Sequence, residues 1–240
     1  MSLKVEVVAV SDKKPKQNYY IYGRFLASIQ RFGIEPTILG WNQPWKGLMT
    51  KARHYRQFLR DGKTSADVLI VCDAWDIVFN DPPEMVGAMY RSRWDGTVVF
   101  NAEKSCFPRG DLADQFPDMG TPWRYLNSGF MIGSPANILK ILESMDLDSI
   151  PDDHQKPDGA WFNPNDQEHF TLAYLKQPVK MTLDYQCELC QCYSGCEVDE
   201  FEWREDRIRN KATGSEPMVH HFNGGSKNNI QPLALMHLSL

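Results

Sequence analysis

Asp73-Ala-Trp-Asp76 stands directly after the apolar run Val68-Leu-Ile-Val-Cys72. Two carboxylates at the carboxyl end of a buried strand can share a hard divalent cation. Oxygen ligands suit Mg2+ or Mn2+ and leave positions open for phosphate oxygens. Trp75, between the acids, offers a flat face to a base or a sugar. The plain alternative is a pair of solvated loop acids. Other chemistry-bearing groups follow. Glu103 lies near the tip of Phe100-Asn-Ala-Glu-Lys-Ser-Cys-Phe-Pro108. Tyr125-Leu-Asn-Ser-Gly-Phe-Met-Ile-Gly133 puts small polar residues where a backbone can approach a ligand closely. Asp166 opens a helical segment, where its charge suits the helix dipole or serves only as a cap. Val219-His-His-Phe-Asn-Gly-Gly-Ser-Lys227 combines imidazole, glycines and a lysine, a mix able to ligate a metal and hold a diphosphate.

These groups need a frame to position them. Apolar or β-branched runs predict strands at Lys4–Val10, Ile34–Leu39, Val68–Val71, Thr97–Phe100 and Lys180–Leu183. Tyr19, Tyr22, Phe25, Leu26, Ile29 and Phe32 recur at helical spacing ahead of a stop at Gly33. Further helices are expected over Gly47–Leu59, from Asp81-Pro-Pro-Glu84 with Asp81 as N-cap, behind Ser134-Pro135 to Met145, and over Asn165–Lys176. Ser11–Gln17 and the Pro-, Asp- and Gly-rich Pro151–Pro164 read as loops, and short strands and loops are expected after Tyr193. Lys13, Lys14 and Lys16 read as a solvated loop, though their place after the first strand leaves them able to meet an anionic acceptor. Strands alternating with helices argue for an α/β fold of right-handed βαβ units, with a mostly parallel sheet and helices on both faces. Ligands bind at the carboxyl edge of such sheets. One domain over residues 1–240 is expected.

Composition narrows the classes. The chain has 240 residues, with 42% hydrophobic and 24% charged, which excludes a disordered or fibrous protein. Lys+Arg 26 against Asp+Glu 31 gives a net charge of −5, so the overall positive field of non-specific nucleic-acid binders is lacking. No apolar run is long enough to span a bilayer, and the N-terminus does not read as a secretory signal. A cytoplasmic protein is expected, or one from which a leader has been removed. Cys187, Cys190, Cys192 and Cys196 are crowded together, but their spacing lacks two separated knuckle pairs, so buried thiols are preferred to zinc.

Trp-Lys near residue 45, Asp-x-x-Asp, Ala-Glu-x-x-Cys-x-Pro, Leu-Asn-Ser-Gly, Asp-Gln and His-x-Asn-Gly-x-x-Lys occur in that order. Together they resemble the glycosyltransferase domain of procollagen lysyl hydroxylases over nearly the whole chain. The resemblance implies a GT-A fold, Rossmann-like, that binds a UDP-sugar through Mn2+, with Mg2+ as a substitute. It carries the metal-ligand role to Asp73, Asp76 and His221, the last preferred to His220 because it keeps the His-x-Asn-Gly register. Trp75 falls where the family stacks an aromatic on uracil. Ser11, Trp45 and Lys51 fall among nucleotide-sugar contacts, and Asn223, Gly224 and Lys227 where the diphosphate rests. Asn127 and Ser128 belong with the sugar. Asp166 and Glu103 are the expected catalytic acids. Two positions depart from the family: Asn165 replaces an acid and Phe107 replaces Trp, both on the sugar and acceptor side.

The expected reaction moves a hexose from UDP-glucose or UDP-galactose to an acceptor hydroxyl, collagen-like hydroxylysine among the choices. A glycan, a lipid or a modified DNA base is the alternative acceptor. From another class, the alternative is a catalytically silent nucleotide-sugar-binding module. The chain's length is consumed by this domain, so lysine hydroxylation is not expected of it.

Overall fold

The computed structural model describes residues 3–13 and 20–238. Tyr19, Lys14 and Lys16 lie outside the described residues, as does the side chain of Tyr22. The elements in chain order begin with β1 (Val5–Val10), α1 (Tyr20–Gln30), β2 (Thr37–Leu39), α2 (Met49–Arg60) and β3 (Val68–Asp73). There follow β4 (Ile77–Phe79), α3 (Pro83–Trp94), β5 (Val98–Glu103), β6 (Tyr125–Gly133) and α4 (Pro135–Ser144). Next come β7 (His154–Gln155), β8 (Trp161–Phe162), α5 (Asp166–Lys176), β9 (Met181–Asp184) and β10 (Cys190–Cys192). The chain closes with β11 (Phe201–Arg204), β12 (Arg207–Asn210), β13 (Val219–His221) and α6 (Ser226–His237).

The central sheet has six strands in the order β2-β1-β3-β6-β5-β9. Only β6 runs against the rest, pairing antiparallel with both β3 and β5. Strand alternation divides the core. Val7, Ala9, Ile70 and Cys72 pack with α1 and α3, whereas Val8, Val10, Leu69 and Val71 pack with α2, α4 and α5. Burial of both faces is why β1 and β3 read as unbroken apolar runs. A second sheet, β10-β13-β4, joins the chain just after Asp76 to the C-terminal region.

Three expectations change. Asp81 does not cap α3: Pro82 holds the N-cap position without a side-chain bond. Both Asp81 oxygens accept from Arg207, at 2.6 and 2.7 Å, and such a two-point charged pair outweighs one cap bond. The Pro151–Pro164 segment contains the short antiparallel β7–β8 hairpin rather than loop alone. The C-terminal region forms α6, a helix hidden in the sequence by Gly224-Gly225, Asn228-Asn229 and an internal Pro232. Among the described residues no helix is long and apolar enough to cross a membrane. All six cysteines are free thiols; Cys190 and Cys192 lie on β10, and Cys187 and Cys196 are buried beside it.

Candidate active site

Register builds the site. Asp73 is the last residue of β3, and Asp76 directly precedes β4. Ile77 pairs with His221 across β4 and β13, and the Phe222 N–H donates to the Asp76 carbonyl at 2.8 Å. These contacts carry His221 to the two acids across a long stretch of chain. Side chains alternate along a strand, so the neighbouring His220 faces away. Its Nδ1 lies 2.9 Å from the Tyr193 hydroxyl, and burial, with Arg207 and Arg31 nearby, pushes its pKa down to about 3.

His221 Nε2 lies 3.5 Å from Asp76 Oδ1 and 3.8 Å from Asp73 Oδ2. One ligand atom from each of the three residues falls within 4.8 Å of the others. Nε2 is buried and has no hydrogen-bond partner. A buried polar atom in that state costs stability unless something completes it. Gly129, on β6, keeps the space open. A Cβ there would stand 2.2 Å from His221 Cε1, 2.7 Å from Nε2 and 2.9 Å from Asp73 Oδ2. Because β6 runs against its neighbours, its Asn127–Gly129 segment arrives at the carboxyl edge where β3 ends. One imidazole and two carboxylates form a donor set that fits Mn2+ or Mg2+.

Two lysines border these acids. Lys51, from α2, donates to Asp73 Oδ1 at 2.6 Å and reaches Asp166 Oδ2 at 2.9 Å. Burial alone would lower its pKa, but Asp166 and Asp73 outweigh burial and hold it well above the ordinary lysine value. Lys227, in the first turn of α6, lies 2.8 Å from Asp76 Oδ2. Asp166 is the first residue of α5, whose actual cap is Asn165, accepting from the Gln167 N–H at 2.9 Å. That leaves the Asp166 carboxylate free to take Lys51 and, at 3.1 Å, the Ser128 hydroxyl.

Two cavities meet at Lys51, Asp73 and Asp76. The inner one, about 470 Å³, is lined by Glu103, Asn127, Ser128, Asp166, Asn223 and Gly224 among others. The outer one, about 380 Å³, is walled by Trp45 and Trp75 and bordered by Lys13 and Lys227. Trp45 is 41% exposed, leaving its ring free to cover a ligand. Ser11 is not brought to either lining; it is buried, and its hydroxyl donates to the Lys13 carbonyl at 3.1 Å.

At the floor of the inner cavity Glu103 receives amide N–H groups from Gln167, Asn127 at 3.2 Å and Asn223 at 2.9 Å. Burial nevertheless raises its pKa. Sequence reading missed Gln167 as a contact, although it adjoins Asp166. It also missed Asn101, a β5 residue behind His221; only the tertiary pairing places these two. Lys13, which the sequence left open to an anionic acceptor, borders the outer cavity.

The family described as the PLOD GT domain matches residues 2–235. The chain belongs to that family. This PLOD GT domain is 28% identical over 228 residues to the multifunctional procollagen lysine hydroxylase and glycosyltransferase of Caenorhabditis elegans, covering 88% of this chain and 30% of that protein. It is 28% identical over 220 residues to the LH3 protein of the same description from Rattus norvegicus, covering 86% of this chain and 28% of that one. An uncharacterised protein of Acanthamoeba polyphaga mimivirus is 28% identical over 216 residues, covering 85% of this chain and 43% of its own length. The chain thus spans less than half the length of each of these relatives. Among solved structures, a glycosyltransferase involved in glycosylation of the major capsid of PBCV-1 superposes with a TM-score of 0.51 at 13% identity. The match covers 97% of this chain and 99% of that one. The fold of this PLOD GT domain is therefore the α/β GT-A architecture of a glycosyltransferase.

Proposed function

We propose that this PLOD GT domain transfers a hexose from UDP-glucose or UDP-galactose to an acceptor hydroxyl, with Mn2+, or Mg2+ in its place, held by Asp73, Asp76 and His221. The observation that carries this reading is the convergence of those three ligand atoms at the junction of the two cavities, with Lys51 and Lys227 beside them. The bound cation would supply positive charge against the diphosphate of the leaving nucleotide. Trp75 and Trp45 offer ring faces to the uracil and ribose in the outer cavity. Asn223, Gly224 and Lys227 run into the N-terminus of α6, where backbone N–H groups and an ammonium favour phosphate oxygens.

Charge builds on the diphosphate as the anomeric bond breaks, and Lys227, already placed against an acid, stabilises it without rearranging. On the inner side, Asn127 and Ser128 face the hexose. Asp166, held by Lys51 and Ser128, is oriented to stabilise positive charge at the anomeric carbon or to take the proton from the acceptor hydroxyl. Glu103 orders the surrounding amides and is the second acid in reach of the acceptor. Phe107 and Asn165 both line the inner cavity, so the departures from the family pattern concentrate where the acceptor enters.

The test is UDP release from UDP-glucose and UDP-galactose with and without Mn2+, with mass spectrometry of products. The acceptors are hydroxylysine peptides, glycans, lipids and hydroxymethylated DNA. Metal-dependent transfer to one acceptor is expected. Binding of UDP-sugar with no metal-dependent turnover on any acceptor would identify a silent binding module and reject the proposal.

A further inference from the structure

His221 has two ring nitrogens, and a neutral imidazole can offer a lone pair from only one of them. The nitrogen facing the two carboxylates is Nε2. Behind the ring, Asn101 is fully buried on β5, at the irregular register between Phe100 and Asn101. Its amide NH2 donates to the backbone carbonyls of Asn127 at 2.7 Å and Phe130 at 3.1 Å. Those two contacts, both acceptors, fix which end of the carboxamide is which. The amide oxygen is then left facing His221 Nδ1 at 3.2 Å, and it can only accept.

We propose that Asn101 is the positioning residue of the metal centre: it holds the Nδ1–H tautomer of His221 and so leaves the Nε2 lone pair facing the cation position. This rests on the metal reading given above. The competing group is Cys192, whose Sγ lies 3.5 Å from the same Nδ1. The same sulfur lies 2.9 Å from the carboxamide atom that faces the ring, the amide oxygen in this orientation, so the weak S–H donor has that oxygen as its nearer acceptor. A thiol donating to Nδ1 would favour the opposite tautomer, with Nε2 carrying the proton and closed to a metal. With the thiol proton on the amide oxygen, Nδ1 faces no donor and itself donates to that oxygen. The carboxamide holds this arrangement because its NH2 is locked by two backbone acceptors on β6. The same strand supplies Gly129, so one element sets both the space at Nε2 and the proton at Nδ1.

The experiment uses the whole chain. Nitrogen-15 NMR of the neutral His221 ring reads the tautomer without metal. Electron paramagnetic resonance of free Mn2+ reads metal affinity separately. Wild type is expected to show Nδ1–H. Asn101→Leu should move the ring toward Nε2–H and weaken Mn2+ by about 10- to 100-fold, the usual range for loss of a partner behind a metal ligand. A wild-type ring protonated at Nε2 overturns the proposal, whether or not the leucine variant folds. So does a folded Asn101→Leu with an unchanged tautomer and Mn2+ affinity. If wild type shows Nδ1–H yet binds no Mn2+, the ring assignment stands and the metal reading in the proposed function fails.

Discussion

Asp76 and Glu103 share the inner cavity and are almost equally buried, at 6% and 4% exposure, yet their surroundings push them in opposite directions. Burial would raise Asp76, but His221 and Lys227 outweigh it and hold the carboxyl well below its usual range. Burial raises Glu103, and the Gln167, Asn127 and Asn223 amides, with some help from His221, do not cancel the effect. Neutral dipoles return only part of the hydration that a carboxylate loses, whereas facing cations can return more than was lost. The cavity is therefore divided: an ionised rim suited to a cation and a diphosphate, and a hydrogen-bonded floor where a carboxyl can hold a proton. Acid–base sites commonly separate carboxyl roles by environment in this way.

Removing charge from the rim should have the largest effect. Asp76→Asn leaves His221 and Lys227 facing an amide and removes one ligand oxygen. Turnover should fall by about a thousandfold or more, with a parallel loss in Mn2+ titration. Turnover within tenfold of wild type would erase the distinction between rim and floor. Asp166→Asn comes next, since it keeps shape but loses the charge paired with Lys51. A fall in kcat of about a hundredfold, with little change in KM, is expected if Asp166 acts on the reacting atoms. Unchanged turnover would remove it from the catalytic set.

The two halves were not equally legible in the sequence. Asp73 and Asp76 stood out because an apolar run ends in acids, a pattern created by burial of β3 on both faces. The order of motifs named His221, but no local feature of residues 77 and 221 predicts their pairing across β4 and β13. The amide floor was fainter still. Asn127, Gln167 and Asn223 lay within recognisable motifs, but the contacts of Gln167, like those of Asn101, come only from strand register and the start of α5. Asp81 shows a local rule overridden: the carboxylate at an ideal N-cap position is taken instead by a part-buried, two-point ion pair with Arg207. The helix α6 was missed because its glycines, asparagines and internal proline carry loop statistics. Its own apolar residues Ile230, Ala234 and Leu235 are buried in the core formed with distant parts of the chain.

The outer cavity offers a finer probe of the same division. Trp75 lines it with Lys13 about 5.9 Å above the ring. Stacking of a base on an aromatic face is worth roughly 1–3 kcal/mol. Trp75→Ala should therefore raise the UDP-sugar KM by about 5- to 100-fold, while kcat changes much less. A fall confined to kcat would instead move Trp75 to the reacting side.

The smallest expected effect tests the floor directly, through stability against pH. Glu103 has a folded-state pKa above its ordinary 4.5, so the folded protein binds its proton more tightly than the unfolded chain does. Its contribution is fully present below pH 4.5 and is lost as pH rises through the folded value, at about 1.4 kcal/mol for each tenfold difference in proton affinity. Asp76 works with the opposite sign: its contribution is present above the ordinary carboxylate range and lost as pH falls through its depressed value. Glu103→Gln resembles the uncharged carboxyl: its one accepting oxygen can serve the Asn127 and Asn223 amides, while its NH2 end faces the Gln167 amide and loses that bond. Urea midpoints of this variant between pH 4 and pH 8 should lose the decline that wild type shows as pH rises, while the loss on acidification remains. Equal slopes for the variant and wild type would mean that the amides hold Glu103 ionised after all, and the floor of the cavity would then carry charge like the rim.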